Sequence, residues 1–454
     1  MYLLNITNND YIILTLVFGI VAITAYWFRR NNGSATDFFL ATKTKPKHYL
    51  IYLSWLNFGF IELIFLAAYG AYAGISAVIG LGLAYIIISF ICDKLISAHR
   101  LFSPLAKEGI SSLNQQVILI IYAVFLLLAC SVMIGLMVWC LKSLLGWQFG
   151  NSSLSLLAVV IISLLVGGSI GLFYNQLISL LISLTIILIC LTSAYFHLGS
   201  YQHIVTNLTQ VALSNGLSSH WFSWWQIGLL PWWKLVIMLI LILFIKLIHP
   251  LALFRAESWL ATTISPTAKL IINGGQLLII LLMVSLGIIA LATPSKIKLQ
   301  AGQQIVTEQT RMNDGGLAYV VRSINNSGLS HQRGLIPQQI DTNNSVEANN
   351  LPSYDYLSAS LVTIKNYLPM AYVLLTLIIL SFFSSISEIL FFITLITIRG
   401  FYIPYFKKTN LAEEELWATR VFLFTYAVVG LSLGLVLYRW VNLTSILAKI
   451  LAIN

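Results

Sequence analysis

Four oxygen-bearing side chains share one stripe of an otherwise greasy segment. In SFFSSISEIL (381–390), Ser381, Ser384, Ser385 and Glu388 stand at i, i+3, i+4 and i+7, the spacing that places residues on one face of a helix. A charge at mid-bilayer costs about 2.5–3.5 kcal/mol on insertion scales, so an acidic residue there is first a functional candidate. Hydroxyl, carbonyl and carboxylate oxygens are the ligands a hard cation prefers. Serines also permit close helix packing and return their protons to the carbonyl four residues back. That structural use accounts for the hydroxyls and not for the carboxylate.

A second segment repeats the theme. LIYLSWLNFGFIELIFLAAYGAYAG (50–74) brings Ser54, Asn57, Glu62, Tyr69 and Tyr72 within one broad helical face. Gly59 is a place where the helix could open, and unwound backbone inside a membrane is tolerated only where it lines a buried site or cavity. Asn57, Glu62 and Tyr69 are the candidate solute contacts. The plainer alternative is a glycine packing contact beside a snorkelling or protonated Glu62. Of the fifteen acidic residues, only Glu62 and Glu388 fall well inside an apolar run.

Other chemistry is argued against by placement. His48, His99, His197, His203, His220, His249 and His331 lie near segment ends or in loops, which does not suit a haem-carrying cytochrome, and no mid-segment lysine accompanies the glutamates as in a proton-pumping respiratory subunit. No nucleotide-binding loop or nucleophile constellation is present, so the chain reads as no enzyme. Cys92, Cys130, Cys140 and Cys190 all sit in apolar runs and read as buried free thiols. Gly167, Gly168, Gly274 and Gly275 read as points of close helix approach, and Asn175 and Gln176 as interfacial caps opening a helix after a tight turn.

The elements that carry these residues are membrane helices. Of 454 residues 59% are hydrophobic and 9% charged, which marks a polytopic membrane protein. A span needs about 20 apolar residues. Ten are expected, at 11–28, 49–73, 75–97, 115–143, 153–171, 174–197, 227–248, 268–292, 368–397 and 417–438, and runs of this length suit helices rather than barrel strands. The first lacks a cleavage site and is expected to be retained.

A net charge of +10 would suggest nucleic acid in a soluble chain. Here Arg29, Arg30, Lys43, Lys45, Lys47, Arg100, Lys246, Arg255, Lys407 and Lys408 cluster after odd-numbered spans, so the positive-inside rule places the N-terminus outside. The partner is a lipid bilayer, in the cell inner (plasma) membrane, and not nucleic acid. Residues 198–226 form an aromatic loop ending in WFSWWQ, an interfacial belt. Residues 293–367 form a long, polar, near-neutral extracytoplasmic loop, flexible in part. The membrane domain covers 1–440, and 441–454 is a short amphipathic tail.

Six pieces of the chain, in order, resemble the sodium:solute symporter family. YWFRRNNGSATDFFLATKT (26–44) is similar to its signature, and Glu62 and Tyr72 fall where the family often has an acidic residue and a tyrosine. SWLATTISPTAK (258–269) is similar to one of its later loops, and YDYLSASLVTIKNYLP (354–369) resembles the entry to the helix that follows. SFFSSISE matches its hydroxyl pair, and RGFYIPYFKKTNLAEEELWATR (399–420) its linker into the next helix.

The resemblance implies an all-α, leucine-transporter-like fold of two inverted five-helix repeats preceded by one extra helix. It also implies a sodium site made by the side chains of Ser384 and Ser385 and the carbonyls of Ser381, Leu56 and Gly59. Glu388 is outside the family pattern; tuning ion affinity or exchanging a proton is its candidate role. The family's Asp on core helix five reads as Asn175 or its neighbourhood. The seventh span, KLVIMLILILFIKLI, shows no Gly, Pro or polar break, and the chain reads as stopping after the ninth core helix, a divergent and shortened member. The expected function is sodium-coupled import of a small organic solute by alternating access. The alternative is a non-transporting membrane sensor or partner subunit on the same fold.

Overall fold

The computed structural model of the chain describes residues 8–28, 35–40, 59–99, 113–145, 149–199, 201–214, 232–248, 266–292, 295–298, 304–311, 317–325, 328–329, 334–335, 345–348, 359–368, 371–406 and 412–440. Helix covers part or all of each of the ten expected spans. Among the described residues, Asn114–Leu141, Ala158–Leu198, Ile272–Ala290, Tyr372–Phe406 and Glu413–Tyr438 are long and apolar enough to cross a membrane. Shorter apolar helices stand at Thr15–Trp27, Glu62–Ala71 and Ala77–Ser89. The membrane-embedded part is all-helical.

The fifth and sixth spans meet elsewhere than expected. Helix runs from Phe149 to Leu198, 50 residues, with Gly168 alone outside helical geometry at φ 57°, ψ −155°. A straight helix of that length would measure about 75 Å, more than twice a bilayer core of about 30 Å, so the break divides it. Glycine alone adopts that backbone without strain. The expected turn at 172–173 is therefore corrected to Gly168, and Asn175 and Gln176 are buried inside the sixth span instead of capping it. Gly74 (φ 62°) ends the second span in the same manner, its amide donating to Gly70 O over 2.9 Å.

The ninth span lies at the centre. Its most apolar window is 94% buried against 22% for the tenth, which explains a helix hydrophobic on every side. First, fourth, sixth and tenth spans touch it. Phe38 and Phe39, from the short Ala35–Leu40 helix, put their rings 5.8 and 5.3 Å from that of Phe391.

Glycines set the closest crossings. A Cβ on Gly287 of the eighth span would stand 1.8 Å from Ala67 O, and one on Gly70 2.2 Å from Val284 O, so second and eighth spans meet backbone to backbone. Gly434 meets Ile134 and Ser131 of the fourth span, and Gly167 meets Ala25 of the first. Gly167 thus serves the expected close approach. Gly274 does not, because a Cβ there meets no described atom within 4 Å. Beside Gly167, Asn175 Nδ2 donates to Val21 O over 3.3 Å. Cys130, Cys140 and Cys190 are buried thiols.

The two long connections are more structured than their composition suggests. Tyr201–Ser214 is helical within the expected loop, and Asn207 Nδ2 donates to Ala292 O over 3.0 Å. After the eighth span, β1 (Ser295–Lys298) runs antiparallel to β6 (Ser345–Ala348) with Ser295 opposite Ala348. Between them β2 (Gln304–Arg311) pairs antiparallel with β3 (Leu317–Asn325), and β4 (Gly328–Leu329) and β5 (Gly334–Leu335) pair with β3. The β-branched residues of QIVTEQTR and LAYVVRSIN suit this antiparallel pair. The Ala359–Tyr367 helix then wedges beneath the span ends: Thr363 Oγ1 donates to Leu286 O over 2.8 Å and Ser193 Oγ to Tyr367 O over 3.2 Å.

Candidate functional site

The hydroxyl stripe of the ninth span meets the second span at its helix start. Ser381, Ser384, Ser385 and Glu388 are each 5% exposed or less. The Phe60 amide donates to Ser385 Oγ over 2.9 Å, and the Phe60 ring stands edge-on to Phe382 with centroids 5.8 Å apart. Gly59 lies outside the helix that begins at Phe60, so the Phe60 N–H belongs to a helix end with no intrahelical carbonyl to meet. A side chain from another span satisfies it.

The hydrogen-bond capacity around Ser385 leaves room for a cation. Its proton goes to Ser381 O over 3.2 Å and one lone pair accepts from Phe60; a hydroxyl has a second lone pair. Gly59 O accepts from Leu63 N over 3.2 Å and likewise keeps a lone pair. Ser381 Oγ returns its proton to Ile378 O over 3.0 Å, so its side chain follows the structural use and its carbonyl is the oxygen turned toward Ser385. Ser384 precedes Ser385 on the same stripe. Leu56 and Asn57 lie outside the described residues.

Glu388 is joined to the sixth span. Gln176 Nε2 donates to its Oε2 over 3.3 Å, and both side chains are buried. Ser179 and Ser183 share the Gln176 face at helical spacing, and their hydroxyls, like that of Ser387, are buried with no hydrogen-bond partner among the described residues. Gln176 is a contact that sequence reasoning missed, because placing the turn too late put it at an interface. Reading Gly167-Gly168 as the break would have put it two turns deep.

The proposed solute contacts are partly in view. Glu62 and Tyr69, 3% and 2% exposed, stand seven residues apart on the second span. Glu62 opens a π-helical turn, Glu62–Leu66, a widening frequent at functional sites in helices. The side chain of Tyr72 lies outside the described residues. A polar trio was not anticipated at all: Tyr85 OH of the third span stands 2.5 Å from Gln276 Oε1 and 3.3 Å from Asn273 Oδ1 of the eighth. A Tyr in one apolar run and an Asn and a Gln in another carry no pattern that would pair them.

No protein-family model matches the sequence, and no match to a curated protein is found. The fold is similar to a solved structure described as the substrate-bound outward-open state of a Na+-coupled sialic acid symporter. The TM-score is 0.61, over 98% of this chain and 85% of that one, at 13% identity. At that identity the likeness is one of fold: this chain has a leucine-transporter-like, inverted-repeat helical architecture.

Proposed function

We propose that the protein is a sodium-coupled secondary symporter that imports a small organic solute by alternating access. The reading rests on one observation: in a transporter-like fold, Ser385 of the central span holds the backbone where the helix of the second span begins at Phe60. Sodium would be bound by Ser384 and Ser385 Oγ with the carbonyls of Ser381, Leu56 and Gly59, and solute by Asn57, Glu62 and Tyr69. Two hydroxyl oxygens and three carbonyls form the hard, neutral donor set that suits a monovalent cation. Glu388, beyond that set, adjusts cation affinity or carries a proton. In this reading the protein sits in the plasma membrane with its N-terminus outside, and 1–440 is the transport domain. The tail, 441–454, lies outside the described residues.

A cation moving down 100 mV releases about 2.3 kcal/mol, which concentrates a neutral solute a few tens of times. Sodium-gradient-driven uptake into proteoliposomes tests this. Uptake that needs the gradient supports it, and uptake insensitive to sodium refutes the coupling.

A second reading, a non-transporting sensor or partner subunit, is favoured by the seventh span. Trp232–Ile248 is one unbroken helix without glycine or proline. Sodium binding without uptake of any solute would select it.

A further inference from the structure

An amide on the eighth span looks outward into the membrane. On the third span Leu83, Ile86 and Ile87 are exposed, and on the eighth Gly274 and, one turn on, Leu278. Asn273 and Gln276 stand half-buried beside them, with the Tyr85 hydroxyl buried beneath. Pro266–Ala292 measures about 40 Å at 1.5 Å per residue, against a hydrocarbon core of about 30 Å. Asn273 is about 10 Å from its start, so it lies at the depth of the lipid tails.

Two features of this face call for a neighbour. A half-exposed amide among lipid tails has no water to bond. Among the described residues Asn273 makes one side-chain hydrogen bond, in which its Oδ1 accepts from Tyr85, and its Nδ2 donates to none. Next to it, a Cβ on Gly274 would meet no described atom within 4 Å, so the backbone of the eighth span lies bare on its outer side. Helices in lipid associate by close backbone approach at small residues and by hydrogen bonds between spans, because lipid tails are as apolar as leucine. Gly274 and Asn273 supply one of each.

The neighbour that fits is a second copy of the chain. Copies enter the membrane in one orientation, so the two-fold axis relating a pair runs along the membrane normal, and a residue near that axis meets itself at equal depth. A charged side chain repels its twin there. A primary amide pairs with its twin, since each offers a donor and an acceptor. Residues 76–92 and 270–292 contain no Asp, Glu, Lys or Arg, so nothing on this face opposes its own copy.

We propose that the chain forms a parallel, two-fold symmetric homodimer in the membrane through Asn273 and Gly274 of the eighth span, flanked by Leu83, Ile86 and Ile87 of the third. The proposal is independent of what the protein carries.

The test uses the full chain in proteoliposomes. Copies labelled with donor and acceptor dyes are diluted in lipid, and energy transfer reports their association. Wild type associates. Gly274→Leu places a side chain in space that the single chain leaves open, and Asn273→Leu removes the self-pairing amide while Tyr85 keeps its bond to Gln276, 2.5 Å away. Each variant weakens association at least tenfold, with the thermal midpoint of the detergent-solubilised monomer as the check that it folds. Gly274→Cys, oxidised with a copper phenanthroline complex, gives a disulfide-linked dimer, and Val428→Cys, on the exposed face of the tenth span, does not. Absence of energy transfer in wild type at every dilution overturns the dimer. Association unchanged in both leucine variants, or cross-linking at Val428→Cys instead of Gly274→Cys, overturns the interface. Cross-linking of Gly274→Cys in native membranes to a different protein and not to itself overturns the second copy as the occupant.

Discussion

The Phe60 amide and the Ser385 hydroxyl, 325 positions apart, are joined by a 2.9 Å hydrogen bond inside the bundle. The bond puts a backbone group of the second span under the control of a side chain that is also a candidate cation ligand. Whatever loads or unloads the Ser385 oxygen changes how firmly the helix start at Phe60 is held.

Ser385→Ala and Ser384→Ala are both expected to weaken the thermal stabilisation produced by sodium. They differ without sodium. Ser385→Ala orphans the buried Phe60 N–H and costs about 1–3 kcal/mol, whereas Ser384 carries no such bond and its variant stays near wild type. Thermal unfolding in sodium and in an inert organic cation separates the two effects; a wild-type sodium response in both variants would remove these ligands.

Glu388 meets Gln176 at 3.3 Å, so Glu388→Gln keeps a hydrogen-bonding group at the position while deleting its charge. If the carboxylate tunes the ion site, the sodium concentration for half-maximal stabilisation rises about tenfold. A titration curve superimposable on wild type would assign Glu388 a packing role only.

Much of this was legible in the sequence, because membrane helices declare themselves by length and apolarity. The Ser381, Ser384, Ser385, Glu388 stripe needed only the helical period, and the structure buries all four. What stayed hidden depends on partners. Gln176 has the sequence position of a cap only while the turn is placed at 172–173, and the break at Gly168 buries it. Tyr85, Asn273 and Gln276 acquire meaning only when two spans are set side by side. Glycine pairs misled in one place: Gly274 faces open space, while Gly70 and Gly287, never adjacent to another glycine, make the tightest crossing. Adjacency in sequence says little about which face of a helix meets another.

That crossing gives a paired prediction. Gly287→Ala drives a Cβ to 1.8 Å from Ala67 O, and backbone cannot step aside as a side chain can, so the cost is about 3 kcal/mol. Gly274→Ala has open space and removes a flexible residue from a helix, a gain of up to about 1 kcal/mol. Thermal midpoints of the two variants should move in opposite directions. Gly287→Ala should also blunt the sodium response, because displacing the second span moves Phe60 off Ser385.

Gly168 tests the division of the long helix. At φ 57°, ψ −155° any L side chain is strained by about 1–3 kcal/mol, so Gly168→Ala should lower the thermal midpoint. The neighbouring Asn175→Leu removes a different thing, the hydrogen bond to Val21 O, and costs about 1 kcal/mol. The two changes sit at one end of the sixth span but act on separate features, strain in the turn and attachment of the first helix. Their separation exceeds about 10 Å along the helix, so the double variant should show the sum of the single effects. A double variant far less stable than that sum would mean that the first helix itself holds the Gly168 turn in place.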